Sequence, residues 1–503
     1  MNTKQNTTYL SNENRRITIK TLVFLFVLSA AVITLCSKCS PIYPFNNWDD
    51  TNSFFTVGKA IANGKVVYRD IYEQKGPLLY YLFVLVYRIS ETTFIGAYIF
   101  EIAAAFLFLL LSLKTIHLFT DKKVFFIIPV VAATVYGCNA FQMGGSVEEF
   151  CLPLIMYCFY TAAKAVMKDS EIGKLQWLII GVTSGIVLWS KFSLLGFYLG
   201  FGCYIIVYYI KRKQHKQLFS AFICLFCGIV ISSMPVIIYC SLTRSFSDMF
   251  QVYFYDNIFH YSTSEYSNPI ISKIMNYGIG AATIVINNIA CIPMLICFVI
   301  YCIKRSQIKI LILVLAEFIC AFLLIYAGGK RYDYYSLILS FIIPVGLISL
   351  YNLLENKIKI LSDARIQGYI PAIITGAAML LLLVFLCPNT YMLKYKKDDL
   401  PQYKFTEYIL QSSDPTLLNY GSLDGGFYTV SGIVPDCKYF CVLNLKTEEL
   451  ISEQDKYIKE QPPEYIVSKE EDGQYGSYTQ ISSAEIENRK GKFVTYFLYK
   501  RNE

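Results

Sequence analysis

The sequence predicts a mainly α-helical, polytopic membrane protein that ends in a small soluble α/β domain. Of its 503 residues 55% are apolar and only 16% charged, against ~25% charged in soluble proteins, and the mean hydropathy is +0.44. Apolar runs close to the ~20 residues that cross a bilayer recur as far as Cys387, after which the chain becomes charged and turn-rich.

Composition also excludes classes. The net charge of +8 comes from basic residues clustered in short loops between apolar runs, where they set membrane orientation rather than bind nucleic acid. Three histidines argue against a His-based metal centre. Most of the sixteen cysteines lie inside apolar stretches, where thiols act as small hydrophobes. Cys36-x-x-Cys39 and Cys437-x-x-x-Cys441 are spaced to pair if oxidised, but reduced thiols are the expectation.

Arg15, Arg16 and Lys20 precede a first apolar run to Cys36 with no small-residue cleavage site, which reads as a retained span. Ten more runs follow, near 92 to 114, 124 to 141, 149 to 167, 174 to 190, 193 to 210, 217 to 240, 280 to 303, 308 to 327, 333 to 351 and 366 to 387. That makes about eleven transmembrane helices. The run from Pro77 to Arg88 reaches only about 18 Å at helical rise, short of a core of ~30 Å, so it reads as interfacial or re-entrant.

With that run left out of the crossing count, the basic loops fall on one face. Lys114/Lys122/Lys123, Lys164/Lys168/Lys174, Lys211/Arg212/Lys213/Lys216, Lys304/Arg305/Lys309 and Lys357/Lys359/Arg365 join Arg15 and Arg16. The positive-inside rule makes that face cytoplasmic, and the plasma membrane is the expected location. The extracytoplasmic face then receives the first loop (about 37 to 91), the Gly144-Gly145-Ser146-Val147-Glu148-Glu149 corner, the turn at Lys191, the loop 243 to 276 and the Gly328-Gly329-Lys330-Arg331 corner. It also receives everything after residue 387, so the chain divides into a membrane domain, 1 to 387, and a soluble domain, 388 to 503. In the latter, apolar runs at Leu417 to Asn419, Tyr439 to Leu443, Tyr465 to Val467 and Phe493 to Leu498 read as strands, and Thr447 to Glu460 as a helix.

Chemistry-bearing residues gather on that outer face. In the first loop Thr51 to Asn63 reads as a helix lying flat, with Asn52, Thr56, Lys59 and Asn63 as a polar stripe and Gly64 as its stop. Asp49 and Asp50 precede it, either as an N-cap or as a general base. In Lys75-Gly76-Pro77, Pro suits the first helical position and Gly permits close approach to a helix N-terminus. Lys75 added to that terminus makes an anion site, unless it only snorkels to the headgroups. Glu148 and Glu149 open a span where charge is costly, or cap it. Lys330 and Arg331 offer a second clamp for an anion, or an interfacial anchor with Tyr334 and Tyr335. Tyr253, Tyr255, Asp256, Asn257, His260 and Tyr261 mix aromatic and polar groups in a pattern suited to sugars or headgroups.

The order Asp50-x-x-x-Phe54, Asn63-Gly64, Tyr68-Arg69-Asp70 and Glu73-Gln74-Lys75-Gly76-Pro77 resembles the GT-C class of integral-membrane glycosyltransferases. It is most similar to the family-39-like branch that holds the lipid A aminoarabinose transferase and the protein O-mannosyltransferases. Asp121-Lys122-Lys123, Glu148-Glu149, a Lys after Gly181 to Gly185, and Gly329-Lys330 follow in matching order, so the likeness covers about residues 10 to 390. It implies an inverting transferase that moves a monosaccharide from a polyprenyl phosphate carrier to an extracytoplasmic acceptor. Asp50 would be the base, with Asp49 as the alternative in the doublet. Lys75 would bind the donor phosphate with Lys330 or Arg331, and Glu148 or Glu149 would be a second acid, an acceptor contact or a metal ligand. Tyr68, Glu73, Tyr255, Asp256 and His260 are candidate substrate contacts. No cofactor is indicated with certainty, and a divalent metal stays open. Expected partners are the lipid-linked donor and membrane lipids, the acceptor being unidentified. A transporter or flippase, or a silent binder of a lipid-linked saccharide, is the competing reading. Transporters, however, place ionisable groups near mid-membrane between inverted repeats, and no repeat is evident here.

Overall fold

The computed structural model describes residues 17–260, 269–358, 361, 363, 366–471, 473, 475–489 and 491–502. Arg15, Arg16, Tyr261, Lys359 and Arg365 therefore lie outside the described residues. The chain runs through α1 (Ile19–Cys36), α2 (Asp49–Ala62), α3 (Pro77–Ile89), α4 (Ile95–Phe119), α5 (Ile127–Tyr136), α6 (Val147–Lys168) and α7 (Lys174–Ser190). Further apolar helices follow at Phe192–Lys211, His215–Thr243, Ile308–Ile325, Asp333–Leu354 and Tyr369–Leu386. It is a multi-pass membrane protein.

Each of the eleven predicted runs holds a helix, but the count of full spans is lower. Among the described residues eight helices are long and apolar enough to cross a membrane, and Ile271–Asn287 with Cys291–Lys304 makes a ninth only as a pair bent by 95°. The bend falls inside the run predicted as continuous from 280 to 303. There the Asn288 amide donates to Ser336 O and Ser340 Oγ, both at 2.9 Å, so the break is held by a polar side chain satisfied across the bundle. α5 and α7 are shorter apolar helices. α3 is short as predicted, with Gly76 at its N-cap and Pro77 opening it.

The corners sort into two ends. At one, Lys122 pairs with Glu355 at 2.5 Å, and Asp169 holds both Arg212 and Lys309, so basic loops distant in sequence share an end. At the other, Thr51 Oγ1 donates to Gly144 O at 2.9 Å, the Gly76 N–H reaches Ser190 O at 3.0 Å and the Asn257 amide reaches Gln74 O at 2.7 Å. The residues predicted to share a face are thus in contact.

Past the last span a four-stranded sheet forms in the order β1 (Leu417–Asn419), β2 (Tyr465–Ser468), β4 (Phe493–Arg501), β3 (Tyr478–Glu487). β1 and β2 are parallel and the other pairings antiparallel. The helix Thr447–Glu460 occupies its predicted residues. Tyr439 to Leu443 is not a strand: Val442 donates to Ser422 O from an irregular, largely buried segment. β3 was not predicted, because its Gln-Ile-Ser-Ser-Ala-Glu run is mostly exposed and lacks an apolar face.

α2 departs from expectation in its surroundings. All of its polar stripe but the exposed Asn63 is buried under the C-terminal residues rather than solvated: Thr429 donates to Asn52 at 2.9 Å, Thr56 to Asp424 at 2.7 Å, and Lys59 to Tyr428 O. Buried polar groups require such partners, and here the C-terminal residues supply them. A single apolar cluster accordingly runs from α1 into the C-terminal part of the chain. All sixteen cysteines are free thiols.

Candidate active site

The first loop is shaped around Lys75. Tyr68 holds φ at 70°, a conformation costly for a non-glycine residue, and its hydroxyl donates to Lys75 O at 2.7 Å. The Lys75 N–H is shared between Glu73 Oε2 at 2.9 Å and Tyr80 Oη at 2.8 Å. Burial raises the Glu73 carboxyl, opposed by Lys75 beside it. α3 then meets the end of α7 so closely that a Cβ at Gly76 would lie 2.1 Å from Trp189 O. Only glycine permits that approach, which brings Lys75 beside Lys191 in the turn after α7.

Between them opens a cavity of about 290 Å³. Lys75, Lys191 and Lys330 all line it, with Tyr253 and Tyr335, over walls that are otherwise largely apolar. The Lys191 ammonium contacts Glu148 Oε1 at 2.5 Å and sits 3.8 Å from the Tyr335 ring centroid and 5.2 Å from that of Tyr334. Burial lowers its pKa, while Glu148 and Asp50 oppose the shift and Lys75 adds to it. Three cations around one partly closed, mostly apolar cavity suit a single anion carried on an apolar chain.

Asp50 stands beside this cavity. Its Oδ2 accepts from the Tyr334 hydroxyl at 2.8 Å, and the Tyr334 ring packs on Trp48 at 5.1 Å. Burial pushes Asp49 up to about 7, Lys469 of the C-terminal part opposes the shift, and Asp50 and Asp424 add to it. Neither acid is the N-cap of α2, which is Trp48; both sit in the first turn, where the helix dipole favours a carboxylate. The doublet is therefore split by direction.

The glutamate pair divides in the same way. Ser146 caps α6 by accepting the Glu149 N–H at 3.0 Å, and Glu149 Oε2 accepts the Gly145 N–H at 3.1 Å, a reciprocal cap. Glu148 instead turns to Lys191. Capping thus falls to Glu149, while Glu148 is buried in an ion pair.

The remaining predicted residues do not join this cavity. Arg331 is not in its lining. Tyr255 is 43% exposed, with its ring against Phe259. Asp256 lines a separate cavity with Tyr68, and His260, outside that lining, hydrogen-bonds Asp256 at 3.1 Å. Among the described residues no group of three or more His, Cys, Asp or Glu side chains is arranged to hold a metal ion.

The sequence marks Lys191 only as an outer-face turn and a landmark of the resemblance, Tyr334 and Tyr335 only as interfacial anchors, and does not single out Glu101. The available signal for Lys191 was a lysine in a tight turn on the same predicted face as Lys75. For Glu101, fully buried in the α4 span against Gly144, it was a lone acid within an apolar run.

No family model matches the chain, and no curated protein sequence matches it. Among solved structures, ArnT from Cupriavidus metallidurans bound to undecaprenyl phosphate is similar, with a TM-score of 0.60 at 12% identity over 95% of this chain and 98% of that one. The apo state of the same protein gives 0.61 at 10% identity over the same shares. At such identity the likeness shows the fold alone: the chain has an ArnT-like fold over 95% of its length.

Proposed function

We propose that the protein is an inverting glycosyltransferase that moves a monosaccharide from a polyprenyl phosphate carrier to an acceptor on the extracytoplasmic side of the plasma membrane. The observation that carries this reading is the convergence of Lys75, Lys191 and Lys330 on one largely apolar cavity beside Asp50. Undecaprenyl phosphate bound to the similar ArnT structure supports the same ligand class here. Basic loops gathered at the opposite end support the extracytoplasmic placement.

In this reading Lys75 and Lys330 bind the donor phosphate and stabilise the charge it gains as the sugar's C1–O bond breaks. Asp50, oriented by Tyr334, takes the proton of the attacking acceptor hydroxyl as the new C1–O bond forms. One displacement inverts the anomeric carbon and leaves polyprenyl phosphate in the cavity and the proton on Asp50. Lys191, paired with Glu148, adds to the cationic field. A transporter would instead distribute its ionisable groups toward mid-membrane.

The test is sugar transfer in proteoliposomes supplied with a panel of radiolabelled polyprenyl-phosphate sugars and an envelope-lipid extract as acceptor. Transfer by the wild type and its loss in Lys75→Ala are expected. Carrier movement across the bilayer without transfer would instead establish a flippase.

A further inference from the structure

A second cavity, of about 300 Å³, lies on the other side of the loop that carries Lys75. The two cavities share a wall. The π-helical segment Phe250–His260 presents Tyr253 and Asn257 to the first and Val252 and Asp256 to the second. The loop divides likewise, Lys75 lining one and Tyr72 the other. The outer wall comes from the C-terminal part of the chain, through Lys438, Tyr439, Lys446 and Glu449.

Its chemistry differs from that of the first cavity. Asp256, 1% exposed, accepts from Tyr72 at 2.9 Å and Gln251 at 3.1 Å, and pairs with Lys446 at 3.2 Å. Lys446 is also 3.7 Å from Glu449, so its charge is already countered. Asp248 and Glu449 add carboxylates to the lining, and acids outnumber lysines. Such a lining disfavours a phosphate and favours hydroxyl or ammonium donors. The half-buried Tyr439 ring, packed at 5.4 Å on that of the buried Tyr72, supplies an apolar face for the C–H surface of a pyranose.

We infer that this second cavity holds a neutral or amine-bearing sugar of the acceptor, gripped between the Tyr72–Asp256 wall and the C-terminal domain. This rests on the transferase reading for the word acceptor, but the binding of a sugar there does not. It gives the C-terminal domain a role in recognition.

The experiment is saturation-transfer NMR on the full chain in nanodiscs, with free glucosamine, N-acetylglucosamine, mannose and glucuronate as probes. A neutral or amino sugar should give the strongest signal. Tyr439→Ala, Asp248→Asn and Glu449→Gln should each reduce it at least fivefold at unchanged melting temperature, with Tyr439→Phe retaining it and Lys75→Ala leaving it intact. No signal from any sugar, dominance of glucuronate, or a wild-type signal in the three cavity variants would overturn the inference. Binding of sugar only when it is linked to polyprenyl phosphate would assign the cavity to the donor and overturn the acceptor assignment. Should transfer fail while free sugar still binds, the functional reading falls and the site stands.

Discussion

The Tyr334 hydroxyl donates to Asp50 Oδ2 at 2.8 Å, tying the first turn of α2 to the 3₁₀ run Asp333–Phe341 that opens the distant span Asp333–Leu354. A hydrogen bond to a charged group contributes ~1.5–3 kcal/mol. If it orients the base, Tyr334→Phe should lower kcat by roughly 10- to 100-fold with little change in donor KM. Steady-state kinetics in proteoliposomes check this, and a pure KM effect would remove Tyr334 from the chemistry.

Lys191 and Glu148 form a buried pair at 2.5 Å, with side chains 12% and 1% exposed. Breaking such a pair costs ~3–5 kcal/mol because the other charge is left buried. Lys191→Met should therefore lower thermal stability sharply, and adding Glu148→Gln should recover most of it. Transfer should stay low in the double variant if Lys191 also supplies cationic field. Recovered activity would make the pair purely structural.

Gly76 is fixed by its contact with α7, where an added Cβ would meet Trp189 O at 2.1 Å and its carbonyl carbon at 2.5 Å. Both are backbone atoms, so α3 must move. Gly76→Ala should cost ~1–3 kcal/mol and weaken polyprenyl phosphate binding by displacing Lys75. Melting temperature and lipid-phosphate titration measure the two effects.

Burial lowers Lys59 to about 7, opposed by Asp424. The folded state therefore prefers the neutral amine, and the unfolded state binds more protons from about pH 7 up to the ordinary lysine range. Stability should rise across that window by up to ~1.4 kcal/mol per pH unit. Lys59→Met should flatten the rise, as read by melts from pH 7 upward.

The fold was legible because helical length and the position of charged loops are local properties, and α3 was read correctly as too short to cross. Lys75 and Asp50 were legible from a contiguous motif. Tyr334 and Lys191 were not, since their roles come from residues 284 and 43 positions away and their local sequence fits a membrane anchor equally well. The division of Asp49 from Asp50, and of Glu148 from Glu149, depends on which way neighbouring side chains turn on a helix. Periodicity fixes that direction only once the partner surfaces are known. Asp256, grouped by sequence with the same outer-face residues, lines a different cavity from Lys75, on a π-helical segment whose turn the sequence pattern does not reveal.

The most direct test of the account is sugar transfer by Asp50→Asn and Asp49→Asn measured side by side, with polyprenyl phosphate binding as a control. Asp50→Asn should lose roughly 10²- to 10⁴-fold in kcat and still bind the lipid phosphate, while Asp49→Asn keeps activity of the wild-type order. Full activity in Asp50→Asn, or a greater loss in Asp49→Asn, would contradict it.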